Sequence, residues 1–226
     1  MEWSVVARTY AFDRLLSREI QNGADLVINL AAGLDARPYR MDLPPSLRWV
    51  EVDLPDILEY KERVLAKAKP VCALERMPLD LSNHDARRGL FSDFGRRASR
   101  VVVMAEGLLI YLMPDEVGAL ARDLSGQPAF QRWIVDIASP GLLKMINEQV
   151  GALVRQAGAP FLFAPPEGPA FFERHGWQVI GVRSILKTAA SLKRLSMFLR
   201  MIAMLPEGSQ PAGSRPWSGV CLLGRA

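Results

Sequence analysis

Four short stretches carry the residues that could do chemistry. "NLAAGLDARPYR" (29–40) sets an Ala-Ala-Gly turn after an apolar run, then an Asp and two Arg. "EVDLPDILEYK" (51–61) places Asp53 at the end of a second apolar run. "PLDL" (78–81) and "AEGLLIYL" (105–112) do the same with Asp80 and Glu106. A strand needs side chains to pack, so small residues at its exit mark a place where something else approaches the backbone. Three acids at successive strand exits facing one small-residue turn outline a nucleoside pocket. An acid about 20 residues after such a turn is placed to accept both hydroxyls of a ribose. Asp53 stands in that position relative to Ala31 and Gly33.

Two cofactor classes fit this outline. A dinucleotide wants G-x-G-x-x-G with its pyrophosphate on a helix N-terminus. Here the turn reads A-A-G-L-D-A, and an Asp stands where a pyrophosphate would meet it. S-adenosylmethionine carries a sulfonium, an ammonium and a carboxylate, and no phosphate. Acids suit its cations and an Arg suits its carboxylate, so the site's composition favours the sulfonium cofactor over NAD.

These residues need a scaffold that brings strand ends together. Apolar positions Val6, Phe12, Leu15, Leu16 and Ile20 predict a helix over 3–22. Strands are expected in "ADLVINLAAG", "LRWVEVDLP", "VCALERMPLDL", "RVVVMAEGLLIYL", "RWIVDIAS", "WQVIGVRSI" and "SGVCLLGR". Between them lie helical patterns over 56–68, 83–92, 114–125, 142–157 and 188–205, with a shorter one in "PAFFERHG". Alternating helices and continuous apolar strands predict an α/β fold, a mostly parallel sheet with helices on both faces. In such a sheet ligands bind outside the carboxyl ends of the strands. The chain is expected to be a single domain over 1–226. Residues 1–22 would contribute to the cofactor site, and 188–216 would be an inserted helix and a Pro/Gly/Ser-rich loop (206–216) that could fold as a lid.

Composition narrows the class. Of 226 residues, half are hydrophobic and 23% are charged, and the net charge is +4. The densest basic stretch, 85–100, is broken by Asp85 and Asp93 and reads as a solvated helix face rather than a nucleic-acid surface. Cys72 and Cys221, far apart in apolar runs, are expected in the core of a protein from a reducing compartment. His84 and His175 have no partners at metal-ligand spacing, so no metal is expected. The longest apolar stretch, 101–114, is too short to span a bilayer and holds Glu106. With no leader expected from the amphipathic first residues, a soluble, cytoplasmic protein without membrane or nucleic-acid partners is anticipated.

Several polar residues have a plain structural reading. Arg37 and Arg40 could touch substrate, but Asp35 and Arg37 are expected first to brace their loop, and Arg40 to cap or pair locally. Glu59 and Lys61 would face solvent, and Asp136 would be a structural strand-end residue ahead of a pocket group. Tyr111 would line the pocket or pack beside strand four. Met197, Phe198, Met201 and Met204 would suit an adaptable apolar ligand surface if the 188–205 helix were a lid, although its Leu stripe reads first as core-facing.

Taken in order, "NLAAGLDARPYR", "EVDLPDILEYK", the Asp-Leu pair and "AEGLLIYL" resemble the leucine carboxyl methyltransferase family, which includes bacterial polyketide O-methyltransferases and related small-molecule enzymes. The similarity runs from about residue 8 to 113 and is looser afterwards. It implies a class I methyltransferase (Rossmann-like) sheet of seven strands with the last one antiparallel. It also implies roles at matching positions. Arg8 would meet the methionine carboxylate, and Ala31 and Gly33 would lie in the turn under S-adenosylmethionine. Asp53 would take the ribose, Asp80 and Leu81 would frame the adenine, and Glu106 would lie near the amino group. Two departures stand out. Ala31 replaces the family's first turn glycine, an exchange the backbone accepts where φ stays negative. Arg8 lies almost at the start, where family members carry several dozen more residues ahead of that helix.

The expected reaction is methyl transfer to an oxygen of a small molecule, a carboxylate or a hydroxyl, ahead of a protein carboxyl terminus. S-adenosylhomocysteine would be the product. No His is placed as a base, which favours an already ionised acceptor, and no catalytic residue is assigned. The alternative is a methyltransferase-like domain that binds the cofactor without turnover, suggested by Ala31 and the short N-terminal segment. A nucleic-acid methyltransferase would want Asn-Pro-Pro-aromatic after strand four, where this chain has "AEGLLIY".

Overall fold

The computed structural model describes residues 2–156, 158–205 and 215–226. In chain order the elements are α1 (Glu2–Gln21), β1 (Leu26–Leu30), α2 (Arg37–Arg40), β2 (Arg48–Asp53), α3 (Pro55–Val64), β3 (Ala73–Pro78), α4 (His84–Arg97) and β4 (Val101–Ala105). There follow α5 (Pro114–Ser125), β5 (Phe130–Ala138), α6 (Pro140–Gln156), β6 (Trp177–Ser184), α7 (Ile185–Ser191), α8 (Met197–Met204) and β7 (Ser218–Arg225). Short 3-10 turns cover Leu109–Tyr111 and Gly168–His175.

The strands form one sheet in the order β3-β2-β1-β4-β5-β7-β6. Strands β1 to β5 pair in parallel, and β7 runs antiparallel to both β5 and β6. The sequence-based expectation of a mostly parallel seven-stranded sheet with an antiparallel last strand holds. Strands β1 and β4 are buried along their whole length because helices cover both faces. Alternate residues serve opposite layers. Leu26, Ile28, Leu30, Val101 and Val103 pack with Phe91, Phe94 and Leu120 on one side. Val27, Trp49, Val102 and Met104 pack with Phe12, Leu16 and Ala189 on the other. Helices α3, α5 and α6 each start on a proline, whose missing N–H is unneeded in a first turn. Both cysteines are buried, as expected. No described helix is long and apolar enough to cross a membrane.

Three expectations are corrected. The single helix read over 188–205 is two helices, α7 and α8. The chain turns between them with Lys193 at φ +57°, and the Ser196 hydroxyl accepts from the Leu199 N–H to start α8. A serine that can bond nearby backbone competes with a continuing helix, which the leucine periodicity does not register. Leu195 and Ala203 still pack into the core, while Met197, Phe198, Met201 and Met204 face solvent. Residues 206–214, most of the expected 206–216 loop, lie outside the described residues.

Second, Lys61 does not face solvent. It is buried, and its Nζ donates to Glu51 Oε1 at 2.7 Å, while Arg76 Nε donates to Glu51 Oε2 at 3.0 Å and Arg76 Nη2 to the Tyr39 hydroxyl. Glu51 sits inside β2, where burial pushes its carboxyl up and Lys61 and Arg76 pull it back. Glu59 is exposed as anticipated.

Third, Ala31 adopts φ +52°, the left-handed region, and not a negative φ. The turn demands the conformation whichever residue fills it, and a Cβ there meets its own carbonyl.

Two stability results follow. The left-handed penalty, about 1–2 kcal/mol, exceeds the extra unfolded-chain entropy of glycine, about 0.4–1 kcal/mol. Ala31→Gly is therefore expected to raise the urea midpoint with m unchanged, and a lower midpoint would contradict this. Lys61→Met leaves Glu51 with one cation and is expected to cost about 3 kcal/mol, the low end for a broken buried pair. Adding Glu51→Gln should recover most of that loss, and a single-variant cost below about 1 kcal/mol would contradict the buried-pair reading.

Candidate functional site

The register of the sheet sets the site. Leu30 is level with Val52, Asp53 with Pro78, and Ala105 with Val135. One step further, Ala31, Asp53, Glu106 and Asp136 emerge together along the carboxyl edge of four strands.

The turn after β1 is held by β2. The Ala32 N–H donates to the Val52 carbonyl and the Gly33 N–H to Asp53 Oδ2 at 2.6 Å. Asp53 Oδ1 accepts from the Leu54 N–H at 2.8 Å. Each oxygen of Asp53 thus takes one backbone donor and keeps a further acceptor position. Gly33 has φ +47°, and no atom lies within 4 Å of where a Cβ would project. The turn therefore faces open space beside the Asp53 carboxylate.

At the β3 exit, Asp80 is exposed, and its Oδ1 accepts from the Ser82 N–H at 2.9 Å, which lowers its carboxyl pKa. The Leu81 carbonyl accepts from Arg87 Nη1, and Arg87 is anchored in turn on Asp123. The Leu79 N–H bonds the Asp53 carbonyl, so this loop hangs directly from the β2 exit.

At the centre lies a knot of charges. The Arg37 side chain is 3% exposed and spends its three nitrogens on three acids: Nε on Asp13 at 2.6 Å, Nη1 on Asp35 at 2.8 Å and Nη2 on Glu106 at 2.6 Å. Burial works against its charge, but Asp35, Glu106 and Asp13 more than offset that and raise its pKa. Asp35 also accepts from the Arg37 N–H and from Asn29 inside β1. Arg40 closes on Asp13 from outside.

Arg8, on α1, reaches the far side of Glu106, with Nε on Glu106 Oε1 at 3.1 Å and Nη1 on Asp136 Oδ2 at 3.2 Å. Thr9 adds a hydroxyl donor to Glu106. Asp136 Oδ1 accepts from the Gly107 N–H at 2.7 Å. Burial pushes the Asp136 carboxyl up, Glu106 adds to this, and Arg8 and the Gly107 N–H oppose it. Gly107 has φ +70°, the left-handed region that favours glycine, and the Arg8 guanidinium lies against this turn, 3.4 Å from where a Cβ would project.

The structure thus brings Arg8 and Glu106 into contact and sets Ala31, Gly33 and Asp53 in one turn. Asp80 and Leu81 stand apart at the β3 exit. The brace between Asp35 and Arg37 and the local pairing of Arg40 are as the sequence suggested. Tyr111 packs on Phe161 with ring centroids 5.4 Å apart. Sequence pattern points to no role for Asp13, puts a structural role ahead of a pocket role for Asp136, and puts a loop brace ahead of substrate contact for Arg37. One signal was available: Asp13 follows Arg8 on the same helix, among apolar positions that fix that helix against the sheet. Among the described residues, no group of three or more His, Cys, Asp or Glu is arranged to hold a metal ion.

Residues 1–125 match the family model described as leucine carboxyl methyltransferase. A protein of Frankia alni named as a putative S-adenosyl-L-methionine-dependent methyltransferase is 31% identical over 178 residues, covering 77% of this chain and 62% of the relative. One of Mycobacterium tuberculosis, named in the same words, is 30% identical over 244 residues, covering 99% of this chain and 75% of the relative. The chain spans less than two thirds of the Frankia alni relative. Among solved structures, a DUF574 family protein of Streptomyces avermitilis superimposes with a TM-score of 0.66 at 14% identity, over 97% of this chain and 83% of that one. Magnesium protoporphyrin IX methyltransferase of Synechocystis, solved with bound SAH, gives 0.54 at 13% identity, over 100% and 86%. At such identities these two show the fold alone, a Rossmann-like methyltransferase sheet. The matched motifs, the share of the chain they cover and the sheet order agree: the chain belongs to the leucine carboxyl methyltransferase family.

Proposed function

We propose that this chain binds S-adenosylmethionine at the strand exits and transfers its methyl group to an oxygen of a small-molecule acceptor. The observation that carries this reading is Asp53. Its carboxylate is fixed by two backbone donors, retains acceptor capacity and lies beside a turn that faces open space. Such a carboxylate takes two vicinal hydroxyls as a directional, charge-assisted pair. Asp80, which accepts from the Ser82 N–H, and Leu81, whose carbonyl Arg87 holds, would border the adenine. Arg8 would receive the methionine carboxylate, and Glu106 the amino group.

When bound, the cofactor supplies a sulfonium methyl already activated as an electrophile. What falls to the chain is alignment and exclusion of water. Arg37 holds Glu106 oriented without moving, because its other nitrogens are tied to Asp13 and Asp35. An acceptor carboxylate would need no proton removed, whereas a hydroxyl would. The names of the curated relatives support the cofactor, and the acceptor's class rests on the family resemblance.

A second reading, binding without turnover, draws on Ala31, whose methyl group sits in a left-handed turn under the expected cofactor. The two readings separate on one experiment. Calorimetric titration with S-adenosylmethionine and, separately, NAD should show micromolar binding of the first alone. Asp53→Ala removes two hydrogen bonds to a charged acceptor, at about 1.5 kcal/mol each, and should weaken binding about 100-fold. Binding of NAD, or no effect of the substitution, would sink the cofactor assignment. With binding established, mass detection of a 14 Da gain on any oxygen acceptor supports transfer, and none across carboxylates and phenols supports binding without turnover.

A further inference from the structure

We infer that Asp136 is a cofactor-binding residue that makes the site distinguish the cationic cofactor from its neutral product. The inference rests on the reading just proposed. The ion pairs of the knot join four carboxylates, Asp13, Asp35, Glu106 and Asp136, to three guanidiniums, Arg8, Arg37 and Arg40, leaving one negative charge in excess. Where that excess resides follows from the partners. Asp13 has both Arg37 and Arg40, and Asp35 has Arg37 and the Asn29 amide. Glu106 has Arg8 and Arg37. Asp136 has Arg8 alone among cations, a share of one guanidinium plus the Gly107 N–H. The excess falls at Asp136.

Its side chain is not sealed off. It is 15% exposed, equal to Glu106 beside it, and Arg8 above them is 30% exposed. A methionine carboxylate that engages Arg8 draws on the one cation that Asp136 has. A buried carboxylate stripped of its cation is costly, so the exchange is favourable only if the ligand returns positive charge to the same place. The methionine end of the ligand does so with its ammonium, and S-adenosylmethionine adds the sulfonium. The product keeps the ammonium but is neutral overall, so it leaves the excess charge of the knot uncompensated. Reaction therefore weakens the ligand's hold on the site it occupies, which favours product release.

A merely structural Asp136, accepting from Gly107 to shape the turn, makes no such distinction, and Asn at this position retains that acceptor. The test is the ratio of the two dissociation constants, product over cofactor, measured by calorimetry on the wild-type chain and on Asp136→Asn. The ratio should fall about five- to tenfold in the variant, the scale of one unit charge at contact distance screened almost as strongly as in water, and chiefly through weaker binding of the cofactor. Asp136→Glu, which restores the charge, should recover part of the ratio. Equal weakening of both ligands by Asp136→Asn, or an unchanged ratio, overturns the inference while leaving the cofactor reading intact. No binding of either ligand to wild type is the separate failure of that reading. Should Asp136→Asn fail to fold, the wild-type salt dependence decides. Cofactor affinity should fall more steeply with ionic strength than product affinity, and parallel slopes overturn the inference.

Discussion

The structure turns on one buried guanidinium. Arg37 is enclosed, and its three nitrogens reach α1 through Asp13, its own loop through Asp35 and the β4 exit through Glu106. A charge in that setting is tolerable only if it is paired, and here each of the three nitrogens meets a carboxylate. The arrangement explains why α1 lies where it does. Phe12, Leu15 and Leu16 supply the attraction to the sheet, which is indifferent to small shifts, while Asp13 on Arg37 supplies the register. Arg8, little more than one turn earlier on the same helix, is thereby delivered to Glu106 and Asp136.

The second constraint is the sheet. Strands buried on both faces cannot carry unpaired acids in their interiors, so acids gather where the strands end. Glu51 shows the cost of the exception, needing both Lys61 and Arg76. At the exits the parallel register does the opposite work. It places Asp53 and Glu106, at their strand ends, in one row with Asp136, two residues short of the end of β5, while their segments are far apart in sequence. The chain's polar chemistry is concentrated along that edge because no other part of the sheet would hold it.

This division also shows what could be read in advance. The strands were legible as apolar runs, and Asp53 and Glu106 as the acids that terminate them, because both follow from local pattern. Arg8 was identified only through resemblance, since nothing in one helix shows which of its cations will meet an acid a hundred residues away. The reach of Arg37, the inward turn of Lys61 and the pairing of Asp136 depend on which segments the fold brings together. Ala31 illustrates a subtler limit: its left-handed φ belongs to the turn, whose shape is set by Asp53 and the Val52 carbonyl, and not to alanine. The break between α7 and α8 was hidden by leucines whose spacing suits a helix on either side of it.

Arg8 is engaged by the same carboxylates that would meet the cofactor's cations. The most direct measurement of this account is a crystal structure of the chain with S-adenosylhomocysteine bound. The ribose is predicted on Asp53, and the Arg8 guanidinium turned from Asp136 to the ligand carboxylate, with Arg37 still on Asp13, Asp35 and Glu106. A ligand bound away from the strand exits, or one that leaves Arg8 bridging Glu106 and Asp136, would contradict it.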